Sequence, residues 1–274
     1  MIPTDISQSC SDFLTALNSD DDLAACTAPL LSATSAYGPL SKNLTEKPTL
    51  ADLDSTLDTL CSPSTASCPS TLIRTKLTEF YANCTDELTS NPNDDVILTY
   101  DVLYALTPLK QVVCSKDDNG TYCVTESTPP PTTQHGTSQK RDTADQTAFV
   151  PNATTVASTN LFFLFLTGQE PASQLCTTCT KEVISAFIDA ESNQPYAPGL
   201  GQSRLFPGQT MLYQGIENTC GQSFLSGAVQ AAGGLGSNGI LGNKSKTSGA
   251  RSSRELGFVA TIVGAVVIGF AWVL

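Results

Sequence analysis

Residues 68–88 read CPSTLIRTKLTEFYANCTDEL. After Cys68-Pro69-Ser70, the residues Ile73, Leu77, Phe80, Tyr81, Cys84 and Leu88 recur at i, i+4, i+7, i+8, i+11 and i+15. That is the period of an amphipathic helix, and it carries a cysteine on its buried stripe. A helix with sulfur in its core face sets the expected class: all-α, stapled by disulfides.

The pattern repeats on both sides. Upstream, Thr49-Leu-Ala-Asp52 has the form of a capping box, and Leu50, Leu53, Leu57 and Leu60 follow on one helical face. Downstream, Asn93-Asp94-Asp95 opens VILTYDVLYAL, 96–106, which reads as a helix that Pro108 kinks or breaks. Its β-branched content also allows a strand. Farther on, LFFLFL, 161–166, reads as buried. In LCTTCTKEVISAFIDA, 175–190, the residues Cys176, Cys179, Val183, Ile184, Phe187 and Ile188 share a face. Leu212, Ile216, Cys220 and Phe224 do the same in the next helix.

The ten cysteines are Cys10, Cys26, Cys61, Cys68, Cys84, Cys114, Cys123, Cys176, Cys179 and Cys220. Zinc sites favour close cysteine pairs completed by histidine or further cysteines. Here the close pair is Cys176-x-x-Cys179, and the single histidine, His135, sits in a low-complexity stretch. An even cysteine count in an oxidising compartment points instead to five disulfides and no free thiol. Residues 1–125 hold seven cysteines and 151–232 hold three, both odd, so at least one bond must join the segments. Within the first, the short Cys114–Cys123 loop is the expected individual pair. The sequons Asn43, Asn83, Asn119, Asn152 and Asn243 suit the same compartment.

Between the segments, residues 126–150 contain three consecutive prolines and no apolar period, the composition of a disordered, sugar-bearing insertion. Its Lys140-Arg141 resembles the dibasic sites cut by kexin-type proteases. Residues 233–255 read as a flexible stalk. The run LGFVATIVGAVVIGFAWVL, 256–274, has nineteen residues and no charge, long enough to cross a bilayer. A core helix would show a polar face, and a cytosolic tail anchor would leave the cysteines in a reducing compartment. A glycosylphosphatidylinositol (GPI) signal fits instead: small residues, a polar spacer, then a terminal apolar segment that is removed. Asn243 is the expected attachment residue, with Ser245, Ser248 and Gly249 as alternatives. A retained span would put Arg251 and Arg254 outside, against the usual bias of basic residues. At the other end, MIPTDISQSC has no charged start and apolar core, and reads either as a mature N-terminus whose leader has been removed or as a start placed downstream of the true one.

The formal net charge is −12, and upstream of Lys244 the 10 basic and 25 acidic residues leave the body at −15. Such a surface repels phosphate backbones, which argues against nucleic acid as a partner. A Ser-His-Asp or Cys-His nucleophile needs a rigidly held histidine, and His135 lies in the insertion. Cys176-x-x-Cys179 has redox spacing, but on an apolar stripe it reads as structural. The carboxylate clusters Asp20-Asp21-Asp22, Asp94-Asp95 and Asp117-Asp118 fall at helix starts or turns, where acids cap and solvate. Asp117-Asp-Asn-Gly120 lacks the alternation of a calcium loop. The single tryptophan, Trp272, is in the terminal apolar run, so a sugar platform would rely on tyrosine and phenylalanine.

Four stretches carry a resemblance: Cys10-Ser-Asp-Phe-Leu, the Leu60-Cys61…Cys68 step, Leu-Tyr-Ala-Leu-Thr-Pro108-Leu before Cys114, and Asn119-Gly-Thr-Tyr-Cys123. Across most of residues 9–230 the chain resembles uncharacterised fungal GPI-anchored surface proteins with a cysteine-rich helical domain. The resemblance implies an all-α fold at the cell surface and no activity, catalytic residue, metal or cofactor. The expected function is a non-enzymatic, glycosylated wall or plasma-membrane protein with a structural, adhesive or host-contact role. Its expected partners are the membrane through the lipid, wall polysaccharide or other surface proteins. Two alternatives remain open: a wall hydrolase or transglycosidase using paired carboxylates, and a binder of small apolar ligands.

Overall fold

The computed structural model describes residues 2–37, 48–126 and 160–226; these are predominantly helical, and among them an isolated antiparallel bridge joins Lys116 and Tyr122. The main helices are α1 (Gln8–Leu17), α2 (Asp21–Thr34), α3 (Leu50–Leu60), α4 (Ser70–Asn83) and α5 (Asp94–Cys114). They are followed by α6 (Cys123–Glu126), α7 (Ala172–Leu175), α8 (Thr178–Asn193) and α9 (Gln209–Cys220). Short polar residues start them. The side chains of Ser7, Asp20, Asn93 and Thr177 accept from first-turn N–H groups, and Thr49 and Asp52 form the expected reciprocal box.

The centre is α5. Thirteen of its residues are buried, including Ile97, Tyr100, Leu103 and Val112, because α8 packs on one side and α4 on another. Its length and hydropathy would suit a bilayer, but this apolar surface is spent on the core. Pro108 does not end the helix, as the sequence suggested: α5 runs through it to Cys114. The strand alternative for this run is likewise replaced by helix. Neighbours that bury the segment on several sides outweigh the lost N–H of one proline.

The opening stretch folds as α4 up to Asn83. Cys84 leaves helical geometry, and a single wide turn, Asp86–Ser90, follows, closed by Asn91 N–H donating to Asp86 O at 2.8 Å. That turn returns Leu88 to the core, where Ile73, Leu77, Phe80 and Cys84 are also buried.

All ten cysteines pair: Cys10–Cys84, Cys26–Cys68, Cys61–Cys114, Cys123–Cys179 and Cys176–Cys220. The fourth joins the two segments, as the odd counts require. The Cys114–Cys123 loop does not form. Cys114 ends α5 beside the end of α3 and bonds Cys61, whereas Cys123 opens α6 and bonds Cys179 in the first turn of α8. Cys176 is not on the α8 stripe either. It caps α7 and is tied to the end of α9.

LFFLFL folds as a tight turn in which Phe162 and Phe163 are buried while Asn160, Leu164 and Phe165 adopt positive φ. The chain after it runs against α9 without side chains between the backbones. A Cβ on Gly215 would lie 2.3 Å from Gly168 O. Glu126, placed in the insertion by composition, is the last residue of α6. The rest of 126–150, the stalk and the terminal apolar run lie outside the described residues. So do Asn43, Asn152, Asn243, Ser245, Ser248, Gly249, Lys140, Arg141 and His135.

Candidate functional site

The most unusual chemistry is inside, where α5 meets the segment 194–209. Asp101 follows Tyr100 in an apolar helix and is wholly buried. Its carboxylate takes four donors. The Tyr196 hydroxyl donates to Oδ1, while Ser203 Oγ (3.0 Å), Arg204 N–H (2.6 Å) and Leu205 N–H (3.0 Å) donate to Oδ2. Ser203 Oγ also accepts from Phe206 N–H at 2.9 Å, so one hydroxyl and one carboxylate fix the path of 203–206. Burial pushes the Asp101 carboxyl up to about 6, against the pull of its donors. The same burial and the Asp101 charge push the Tyr196 hydroxyl far up.

Aromatic rings surround this node. Tyr196 packs edge-on against Tyr100 (5.3 Å) and Tyr104 (5.2 Å), and Phe206 lies 5.3 Å from Phe162 and 5.5 Å from Phe187. The Tyr104 hydroxyl is buried with no hydrogen-bond partner. Burial and then the Glu191 charge push it well up. Glu191, on α8, is itself buried and accepts from Gln209 Nε2 at 3.3 Å. Burial pushes its carboxyl up to about 7.

Two carboxylates raised toward neutrality are a common signature of acid–base chemistry. A glycosidase pair, however, must face a sugar across roughly 5–10 Å. Asp101 spends both oxygens on internal donors and has no exposed surface. Its arrangement binds the chain to itself. Neither residue stood out in the sequence, although Asp101 is the one charge in VILTYDVLYAL, and that isolation was the available signal.

The carboxylate clusters read from the sequence are placed apart. Asp20 caps α2 through Leu23 N–H (2.8 Å) and meets Lys76 at 2.6 Å. Asp94, in the first turn of α5, pairs with Arg204. Asp117 organises an exposed turn by accepting from Asn119 N–H (2.9 Å) and Thr121 N–H (2.7 Å), and Asp118 accepts from Thr178 Oγ1 at 2.8 Å. Cys10, Cys84 and Glu87 converge closely enough to hold a metal, but the two sulfurs are bonded to each other and offer no thiolate. A cleft of about 40 Å³ lies between α2 and α5, lined by Leu30, Leu60, Leu106, Leu109 and the Cys26–Cys68 bridge. Binding sites for drug-sized molecules run to hundreds of Å³.

The family model for a domain of unknown function, DUF7729, matches residues 2–229. The chain belongs to the DUF7729 family. No curated protein and no solved structure matches it. The match spans both cysteine-bearing segments and the insertion, so the DUF7729 domain is the whole disulfide-tied unit, with Asp101 and the Cys123–Cys179 bridge inside it.

Proposed function

We propose that this DUF7729 protein is a non-enzymatic, glycosylated surface protein of fungal type, held by a GPI lipid on the outer face of the plasma membrane or in the wall. Its role is structural, adhesive or host-contacting, with wall polysaccharide or other surface proteins as partners. The observation that carries this reading is the pairing of all ten cysteines, two of them linking segments on either side of the insertion. Such a set persists where thiols are kept oxidised. The uncharged run 256–274 behind a small-residue stretch supports the lipid anchor, with Asn243 as attachment residue and Ser245, Ser248 and Gly249 as alternatives. Sugar on Asn43, Asn83, Asn119 or Asn152 and cleavage at Lys140-Arg141 belong to the same secretory route. The test is release from cells by phosphatidylinositol-specific phospholipase. The released protein should carry ethanolamine on a residue between about 242 and 249. Recovery of a peptide containing Trp272 from the mature surface protein overturns the lipid anchor.

A further inference from the structure

Among the described residues two sequons compete for sugar, Asn83-Cys84-Thr85 and Asn119-Gly120-Thr121. Their surroundings are opposite. An N-linked amide is planar and trans, so the sugar carbon lies on the side of the side-chain oxygen and the remaining N–H points away. At Asn83 the oxygen side is occupied: Oδ1 accepts from Ser9 Oγ at 3.1 Å, across the seam between α4 and the first turn of α1. The nitrogen donates back to Glu79 O at 2.8 Å. Thr85 is bound to Tyr81 O, and Cys84 between them is wholly buried in its bond to Cys10. At Asn119 the nitrogen donates to Asp117 Oδ2 at 2.8 Å, while Oδ1 receives no donor among the described residues and the residue is exposed at a turn. The neighbouring Gly120 has open space where a Cβ would stand.

The order of synthesis adds a second difference. Cys10 precedes Cys84, so both sulfurs are present once Asn83-Cys84-Thr85 has been made, and the bond can close over that sequon early. Beside Asn119, Cys123 must wait for Cys179, 56 residues later. The Asn119 sequon therefore stays open while the chain grows.

We propose that Asn119 is an occupied N-glycosylation site and that Asn83 is skipped, leaving the α1–α4 seam bare and a glycan at the tip of the turn beside the Cys123–Cys179 bridge. This rests on the secretory reading above. The full chain, secreted from a eukaryotic host, is deglycosylated enzymatically in heavy-oxygen water, and the Asn83 and Asn119 peptides are weighed. The label is expected on Asn119 in most molecules and on Asn83 in few. Thr121→Ala should remove one glycan-sized step in gel mobility, and Thr85→Ala, which keeps Asn83 and both cysteines, should remove none. A secreted, fully disulfide-bonded chain with Asn119 unmodified, or with Asn83 equally modified, overturns the proposal and leaves the surface reading standing. A chain recovered with free thiols and no glycan overturns both.

Discussion

The helices that precede α5 and the segment 194–209 that returns across it are anchored to the same core by different means. Three disulfides hold the first region: Cys10–Cys84 ties α1 to the end of α4, Cys26–Cys68 ties α2 to the residues before α4, and Cys61–Cys114 ties α3 to the end of α5. The returning segment has no cysteine between Cys179 and Cys220, and Asp101 with its ring of tyrosines and phenylalanines does the anchoring. Their buried carboxylates differ in the same sense. At Glu87 burial raises the carboxyl, but Ser7 N–H, donating at 2.6 Å, and further bonds outweigh it, and the group is held low. At Asp101 and Glu191 burial wins. Covalent anchors do not answer to pH, whereas the carboxylate anchors do.

Reduction should break the comparison most severely. In the chain-entropy picture, closing the loops of 74 and 42 residues is worth about 4 kcal/mol each. A domain has about 5–15 kcal/mol in total. Reducing all five bonds is therefore expected to abolish the cooperative thermal transition seen by circular dichroism. Cys10→Ser with Cys84→Ser should lower stability by about 4 kcal/mol and speed amide exchange in α1 before α5. An unchanged melt in reductant would show that the hydrogen-bonded core carries the fold alone.

The second effect strikes the other region. Asp101→Ala removes one acceptor group, strands the donors of Tyr196, Ser203 and Arg204, and leaves Leu205 N–H only its longer bond to Ser203 Oγ at 3.2 Å. Each buried donor left unmet costs about 1–3 kcal/mol, partly recovered when hydroxyls rotate, so a loss of about 4 kcal/mol is expected. Denaturant unfolding of the oxidised protein measures it. Exchange should quicken at 203–206 and stay slow in α1. A loss below about 1 kcal/mol would mean that the aromatic packing alone holds the returning segment.

The amino-terminal region was largely legible in the sequence because its signals are local. The spacing from Ile73 to Cys84, the Thr49–Asp52 box and the caps at Asp20 and Asn93 each need only neighbours a few residues away. Parity alone required a bridge between the segments. What parity could not give was partner choice: Cys114 lies near Cys123 in sequence, but the end of α5 lies beside the end of α3 in space. The Asp101 node was hidden for the same reason. Its donors sit at 196–205, so nothing adjacent to Asp101 reveals its role. Pro108 misled because local propensity stops a helix there while burial on several sides carries it on.

A third, smaller effect separates the regions by pH. The folded chain holds protons on Asp101 and Glu191 up to about 6 and about 7, whereas the unfolded chain releases them near 3.8 and 4.5. The stability they confer is complete in acid and is lost as pH rises through those folded values. Thermal midpoints should fall between about pH 4 and about pH 7. Glu191→Gln, which keeps an amide for Gln209 to meet but cannot ionise, should remove the upper part of that fall, on the order of 2 kcal/mol. Variant and wild type should coincide in acid and diverge toward neutrality, the variant being the more stable. Parallel curves would exclude Glu191 as the titrating group.

The smallest effect has the opposite sign. Lys76 holds Asp20 at 2.6 Å on the surface between α4 and α2, and its hydrogen bond lowers the Asp20 carboxyl below its ordinary value. A group held low contributes stability that is present above its unfolded pKa of 3.8 and is lost as pH falls through the lower folded value. Lys76→Met keeps the apolar stem and removes the charge, while the Asp20 cap on Leu23 N–H remains. The expected cost near neutrality is below about 1 kcal/mol, because the pair is partly solvated and both side chains must be ordered to meet. The cost should shrink with added salt and vanish in strong acid. Melts of wild type and variant therefore converge at the acid end, as for Glu191→Gln, but on departing from it the Lys76 variant is the less stable. A cost that survives in strong acid, where Asp20 is neutral, would assign the role of Lys76 to its stem packed across the α2–α4 seam and not to its charge.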